Sequence, residues 1–430
     1  MFSRLVPRHA ELVAKLALRI INTPEFQRLR YIKQLGISYL VFPSANGTRF
    51  EHLLGTYHLA GLVMQNVRQY NPNIEYDIPE LGGKTKINDF IIELVKIAAL
   101  CHDLGHGFMS HLFDHIIEAI YDINTISHEE RSYLLTKRIL KRECSDIIDD
   151  NHINFINALI DPQLHHNNAI YQIVANKLNQ VDVDKFDYLA RDSYNLGYEK
   201  RFDALRIINE IIVDDNNNIA YPKHCGLDLL IMFHDRYMMH KRFYCHKTTK
   251  ILELMVIEII RCLAEIIDLK SMVHDLDLFC TLTDETFFTY LNILNSTNIN
   301  ENDHLLTRAT YLMNKIKSRN LYKLIDELID VEPCIIERFF YLNPSLIKDD
   351  FEIVYYNVGF VSENKADPFS SIFFYENKEN RKTFVLDKKH ISSIISEKYQ
   401  ERHYLIICKN DSIYQNALLC WNKYKKDFCI

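Results

Sequence analysis

Residues 89–107 read DFIIELVKIAALCHDLGHG, and their reading decides the fold. Apolar residues recur at three- and four-residue steps, which predicts a helix over Ile87–Leu104 that Gly105 and Gly107 bring to an end. Counting back from His102 by helical turns gives Ala98, Leu94 or Val95, and Ile91, all apolar. His102 therefore points to the packing side of its helix. Alone, a histidine there is more often a satisfied core residue than a ligand. Asp103 beside it shifts that reading, because a carboxylate is almost never buried unless it is paired or binds metal. Both can reach one ion only if other helices bring further ligands.

Three further segments answer that need. Arg49-Phe-Glu-His52 opens a predicted helix over Phe50–Gln69, and His52 shares an apolar face with Leu59 and Val63. In Asp182-Val-Asp184-Lys185-Phe-Asp187-Tyr188…Asp192, steps of four put Asp184, Tyr188 and Asp192 on one helix face. A solvated acidic face would look the same. In MFHDRYMMHKRFYCHK (232–247), Arg236, His240 and Tyr244 recur every four residues and Lys247 follows, with Ile231 and Met238 opposite. Such a stripe suits the wall of a phosphate-binding cavity better than a solvent face. Two imidazoles with two carboxylates favour iron, manganese or zinc over calcium, and magnesium can join through substrate phosphates. A lone His-Asp pair is weak, whereas the ordered set His…His-Asp…Asp on separate helices is strong.

Hydrophobic residues make up 48% of the 430 and charged residues 25%, the profile of a soluble globular chain with a sizeable core. The net charge of −7 makes direct nucleic-acid binding an unfavoured expectation. Ten cysteines without a CxxC pair, no apolar signal-peptide core and no run near the ~20 apolar residues of a membrane span predict a cytoplasmic or nuclear protein with free thiols.

Helical periodicity continues through Phe155–Ile160, Leu227–Leu269 and Asp284–Asn295, with exposed loops at Asn71–Lys86 and Asp214–Asn218, the second most simply a hairpin or loop tip. After Val331, β-branched and aromatic runs at Phe351–Phe360, Ser371–Tyr375, Thr383–Leu386 and His403–Cys408 alternate with helical stretches at Ser392–Tyr399 and Tyr414–Lys425. The expected fold class is mainly α: a helical body over 1–330 and a small C-terminal α+β lobe over 331–430.

Several segments together resemble the SAM-and-HD-domain deoxynucleoside triphosphate triphosphohydrolase family, without its SAM domain: NTPEFQRLRYIKQLGISYLVFP, TRFEHLLGTYHLAG, LCHDLGHGFMSHLFD, SHEE, VDVDKFDYLARDSYNLG and FHDRYMMHKRFYCHK. The resemblance covers Leu12 to about Phe428. It implies an HD-domain body in which His52, His102, Asp103 and Asp184 hold the metal. It assigns His106, His111, Asp114 and His128 to catalysis. His111 would be the general acid, oriented by Asp114, and His106 and His128 would grip the triphosphate with Arg49, Lys185 and Arg236. Gln34 and Asp192 would bind the sugar 3′-hydroxyl, Leu35 and Tyr244 would crowd the 2′ position, and Tyr188 and His240 would line the substrate site. The implied reaction releases a deoxynucleoside and inorganic triphosphate.

The departures concern activation. Gln27 and Arg30 match a guanine-reading pocket, but Asn22 stands where the family has an aspartate that accepts both guanine N–H donors; an amide cannot. In a second activator site Arg206, His246, Lys247, Arg319 and Lys323 match, while Pro222 and Asp228 align with an expected arginine and asparagine. Weakened or absent activation by GTP or dNTP follows as an expectation. The expected assembly is a homo-oligomer, a dimer before a tetramer, with no membrane partner. Two other readings stand beside this one. One is a different HD-type nucleotide phosphohydrolase or phosphodiesterase; the other is a catalytically silent nucleotide-binding regulator on the same fold.

Overall fold

The computed structural model describes residues 15–121, 127–162, 168–199, 201–296, 304–361, 367–379, 381–393 and 398–428. Helices dominate these residues. Nine strands occur among them: β1 (Tyr76–Ile78), β2 (Gly83–Thr85), β3 (Ile212–Val213), β4 (Ile219–Pro222), β5 (Lys323–Ile329), β6 (Phe351–Gly359), β7 (Phe373–Tyr375), β8 (Phe384–Val385) and β9 (Gln400–Cys408). None of the described helices is long and apolar enough to cross a membrane.

The contacts divide the chain into two compact units that alternate along it. The first comprises Met1–Asp235, Leu269–Thr286 and Ala366–Ile395; the second comprises Arg236–Asp268, Phe287–Lys365 and Ser396–Ile430. This differs from a single division at residue 330, and strand pairing is the reason. β7 and β8, expected in a C-terminal lobe, join the sheet β3-β4-β7-β8 of the first unit, with β4 and β7 parallel in the register Ala220↔Phe373. β5 begins before residue 330 and pairs with β9 in the second unit.

In the first unit the Arg49–Tyr70 helix packs against both the Asp89–Cys101 and Val183–Leu196 helices. The Asp89–Cys101 helix starts where the Asn88 side chain accepts the Ile91 N–H at 2.9 Å, an N-cap that ends the predicted Ile87 extension. Its row Leu94, Val95 and Ala98 is fully buried. The segment 71–86, expected as an exposed loop, is a β1–β2 hairpin whose Tyr76 and Ile78 are fully buried. Asp214–Asn218 is the turn of the antiparallel β3–β4 hairpin, as expected: Asp215 and Asn216 are exposed at its tip, and the Asp214 carboxylate accepts the Asn216 and Asn218 N–H groups.

In the second unit the antiparallel sheet β5-β9-β6 supports a core of Phe339, Ile406, Ala417 and Trp421, contributed with the Cys334–Leu342 and Tyr414–Phe428 helices. The indole N–H of Trp421 donates to Asp326 at 2.7 Å, and its ring meets Phe339 edge-on at 4.8 Å. Trp421→Ala removes both and is expected to destabilise this unit by about 3–5 kcal/mol, measured by denaturant unfolding followed through near-UV dichroism. The helix expected over Leu227–Leu269 is three elements: Gly226–Met239, a π-helical turn at His240–Tyr244, and Lys247–Ala264. The π turn changes the four-residue spacing read from sequence, although the His240 and Tyr244 rings still meet at 4.9 Å. The helix expected at Ser392–Tyr399 falls largely on 394–397, outside the described residues; Ser392 and Ser393 are not helical.

Candidate metal and phosphate site

Three helices of the first unit converge on one group of ligands. His52 comes from the first turn of Arg49–Tyr70, His102 caps the C-terminus of Asp89–Cys101 with Asp103 next to it, and Asp184 lies in the first turn of Val183–Leu196. The Nε2 atom of His52 is 3.1 Å from Asp184 Oδ1 and 3.5 Å from Asp103 Oδ2. The Nε2 atom of His102 is 3.5 Å from Asp184 Oδ1 and 3.5 Å from Asp103 Oδ1.

Hydrogen bonds fix the tautomers. His102 Nδ1 lies 2.8 Å from the Ala99 carbonyl, which can only accept, so Nδ1 carries the hydrogen. His52 Nδ1 likewise donates to the Asp187 carboxylate at 2.8 Å. Both Nε2 lone pairs therefore face the carboxylates, and both Nε2 atoms are buried without a hydrogen-bond partner. Lone pairs and carboxylate oxygens this close repel unless a proton or a cation lies among them. The demand is visible in His52: burial opposes protonation, but Asp184 and Asp187 prevail and push its pKa up to about 10. A divalent transition ion satisfies all four donors at once, so the residues fit such an ion.

Asp187 is the residue that the sequence reading quoted but gave no role. It holds His52 from behind and is itself held by two bonds from Arg191, at 2.9 and 2.8 Å. This carboxylate–histidine pair orients the imidazole and would raise its basicity toward an ion. The signal was available, since Asp187 is one helical turn from Asp184 in the same motif.

A second group adjoins the first. His106 Nε2 is 3.3 Å from Asp103 Oδ1, and its ring stacks on His128 at 4.3 Å and meets His111 edge-on at 4.8 Å. Asp114 was expected to orient His111. Instead its carboxylate is taken by Arg131 and lies 3.3 Å from His128 Nδ1, because Arg131 and His128 reach Asp114 from the next helix. Geometrically His106, Asp114 and His128 could also hold an ion. The charges argue otherwise. Arg131 occupies Asp114, and Arg49 bonds both Asp103 and, at 2.9 Å, Ser110 Oγ, with its Nη2 buried and unsatisfied. Two guanidinium groups thus stand beside the three imidazoles, Arg49 paired with Asp103 and Arg131 with Asp114. Burial first, then Arg49, holds His106 well below its ordinary pKa; burial, Arg49 and His128 also push His111 down. Asp114 stays ionised, since His128 and Arg131 outweigh its burial.

The other expected residues are distributed as follows. Gln34 is buried with its Oε1 unsatisfied, and Leu35 beside it is half-buried. Lys185 Nζ lies 3.1 Å from Asp182, its own helix cap, while Asp192 is buried and Tyr188 half-buried. Arg236, His240 and Tyr244 belong to the second unit, where Arg236 donates to the Gly359 carbonyl. Asn22 is exposed at the end of the Leu16–Ile21 helix. Gln27 donates to the Ile21 carbonyl at 2.7 Å and accepts from Arg30 at 2.8 Å. Arg206 lies 3.6 Å from Asp228 in the first unit, whereas His246, Lys247, Arg319 and Lys323 are in the second.

Residues 49–192 match the HD domain family. The chain is 43% identical over 419 residues to the putative HD domain-containing protein L394 of Acanthamoeba polyphaga mimivirus, covering 93% of this chain and 90% of that one. It is 31% identical over 417 residues to the deoxynucleoside triphosphate triphosphohydrolase SAMHD1 homolog of Dictyostelium discoideum, covering 95% and 77%. It is 31% identical over 451 residues to the SAMHD1 triphosphohydrolase of Bos taurus, covering 92% and 72%. Joined to the cluster of His52, His102 and Asp103, these likenesses show that the chain belongs to the SAMHD1 family of HD-domain phosphohydrolases.

Proposed function

We propose that this protein hydrolyses deoxynucleoside triphosphates to deoxynucleoside and inorganic triphosphate. The observation that carries the reading is the adjacency of a four-donor metal site to a cluster of three imidazoles and two guanidiniums, joined through Asp103 and Arg49. His52, His102, Asp103 and Asp184 would hold a divalent iron, manganese or zinc ion, which would supply Lewis acidity. Arg49, His106 and His128 hold the triphosphate, and Lys185 adds a further cation. Asp114 orients His128 with Arg131. His111 gives a proton to the departing 5′-oxygen. Its pKa is depressed by burial and then by Arg49 and His128. A bound triphosphate, opposite in charge, would shift it back upward, toward the proton-donating form.

Activation by guanine nucleotide is weak or lost in this reading. Asn22 cannot accept two guanine N–H donors, and Asp228 draws on Arg206, a cation the activator phosphates would otherwise use. The accompanying assembly is a homodimer.

The test incubates the purified protein with each dNTP and magnesium or manganese, with and without GTP, and separates the products by ion exchange. Deoxynucleoside and triphosphate formed equally without GTP is the expected result. Strict dependence on GTP removes the activation argument. No product from folded, metal-loaded protein favours the silent nucleotide-binding regulator.

A further inference from the structure

Asp284 stands two residues before the Thr286–Ser296 helix, and its carboxylate bonds backbone far away in sequence. Oδ1 accepts the Met109 N–H at 2.6 Å and Oδ2 accepts the Lys33 N–H at 2.8 Å, partners 175 and 251 residues away in sequence. The Asp284 N–H in turn donates to the Tyr31 carbonyl at 3.3 Å. Asp284 is only 3% exposed, and burial pushes its pKa up to about 6 against the two N–H bonds. The fold thus keeps a costly buried carboxylate with no cation bonded to it.

What the carboxylate joins gives the cost a purpose. Lys33 leads directly into Gln34 and Leu35, and Met109 leads through Ser110 into His111. Met109 and Ser110 both have positive φ, at 59° and 57°, which side-chain-bearing residues adopt only when their surroundings impose it. A second link runs parallel: Ser110 Oγ donates to the Lys33 carbonyl at 2.7 Å and accepts from Arg49 at 2.9 Å. The segments are also pressed together at Gly36, where a Cβ would lie 2.7 Å from the Met109 carbonyl oxygen.

We infer that Asp284 is a positioning residue, a single carboxylate that holds the Lys33–Leu35 segment and the Met109–His111 turn at a fixed spacing. It thereby sets Leu35 against the sugar and His111 against the leaving oxygen. The inference rests on the dNTP reading above and adds to it a residue that controls both turnover and the choice of sugar. A residue serving stability alone would change the amount of active protein and leave the sugar preference untouched.

Asp284→Asn is nearly isosteric. Its amide can accept one N–H but turns an NH2 toward the other, so one of the two links must break. The experiment measures kcat and KM of the wild type and Asp284→Asn for dATP and ATP, with melting curves and metal content alongside. The expected result is a fall in kcat for dATP of about 10- to 100-fold. The dATP/ATP ratio of kcat/KM should fall about tenfold, with metal content unchanged. Should Asp284→Asn not fold, Ser110→Ala cuts the parallel link to Lys33 and takes its place with the same expected fall in the ratio. Activity and sugar ratio that both stay at wild-type values, or activity that falls only with the folded fraction, overturn the inference alone. No product from the wild type overturns the dNTP reading and this inference with it.

Discussion

Changing His102 and Asp103 together to alanine is expected to bring phosphohydrolase turnover to background and to abolish binding of the divalent ion. His102 contributes one of the two orphaned Nε2 atoms, and Asp103 faces both imidazoles and His106. Asp103 also anchors Arg49 and, under the influence of Arg49 and the imidazoles, stays ionised despite its burial. Its loss therefore removes a metal ligand and releases the guanidinium that stands beside the three imidazoles. Elemental analysis of metal content and the dNTP assay are read in parallel. A milder change isolates the orienting carboxylate: Asp187→Asn keeps every ligand but weakens the Asp187–His52 pair, and should lower metal affinity by about 10- to 100-fold. A double variant that still binds metal and still turns over would place the chemistry elsewhere.

Gly55→Ala is expected to have the largest effect of any one-methyl change in the first unit. A Cβ at Gly55 would lie 1.7 Å from Asp187 Oδ1 and 2.4 Å from Arg191 Nη2. These atoms form the buried carboxylate–guanidinium pair behind His52, and the helix backbone around Gly55 packs directly on the Val183–Leu196 helix. Either the helices separate or Asp187 leaves His52. Overpacking of this kind costs about 3 kcal/mol. The methyl should therefore lower the denaturant midpoint of the helical unit and weaken metal binding together. Glycine normally weakens a helix interior relative to alanine, so an alanine that stabilised the protein would show that propensity outweighs this contact.

Much of this site could be read from the chain. Helical period put His52 and His102 on apolar faces and left a buried Asp103 in need of a partner, while Asp184 entered the ligand set through the family resemblance, since a solvated acidic face explained it equally. The structure brings His52, His102, Asp103 and Asp184 close to one another. Two other expectations rested on local signals that the fold overrode. The four-residue stripe from Arg236 to Tyr244 assumed unbroken α-helix and meets a π turn at His240–Tyr244. The boundary at residue 330 assumed that a change of texture marks a change of unit, but β7 finds its partner in β4, roughly 150 residues earlier.

By itself, then, the sequence determined that the chain is mainly helical, which residue types the buried faces of its long helices carry, and the HD family of the chain, because each depends on periodicity and motif. Tertiary structure alone decided the rest. It gave Asp114 to Arg131 and His128 rather than to His111, placed Asp187 behind His52 across from Gly55, and sent Asp284 to the backbone of Lys33 and Met109. Those outcomes turn on which buried donor lies within about 3 Å of a carboxylate once distant segments pack, and no period or spacing along the chain records that distance.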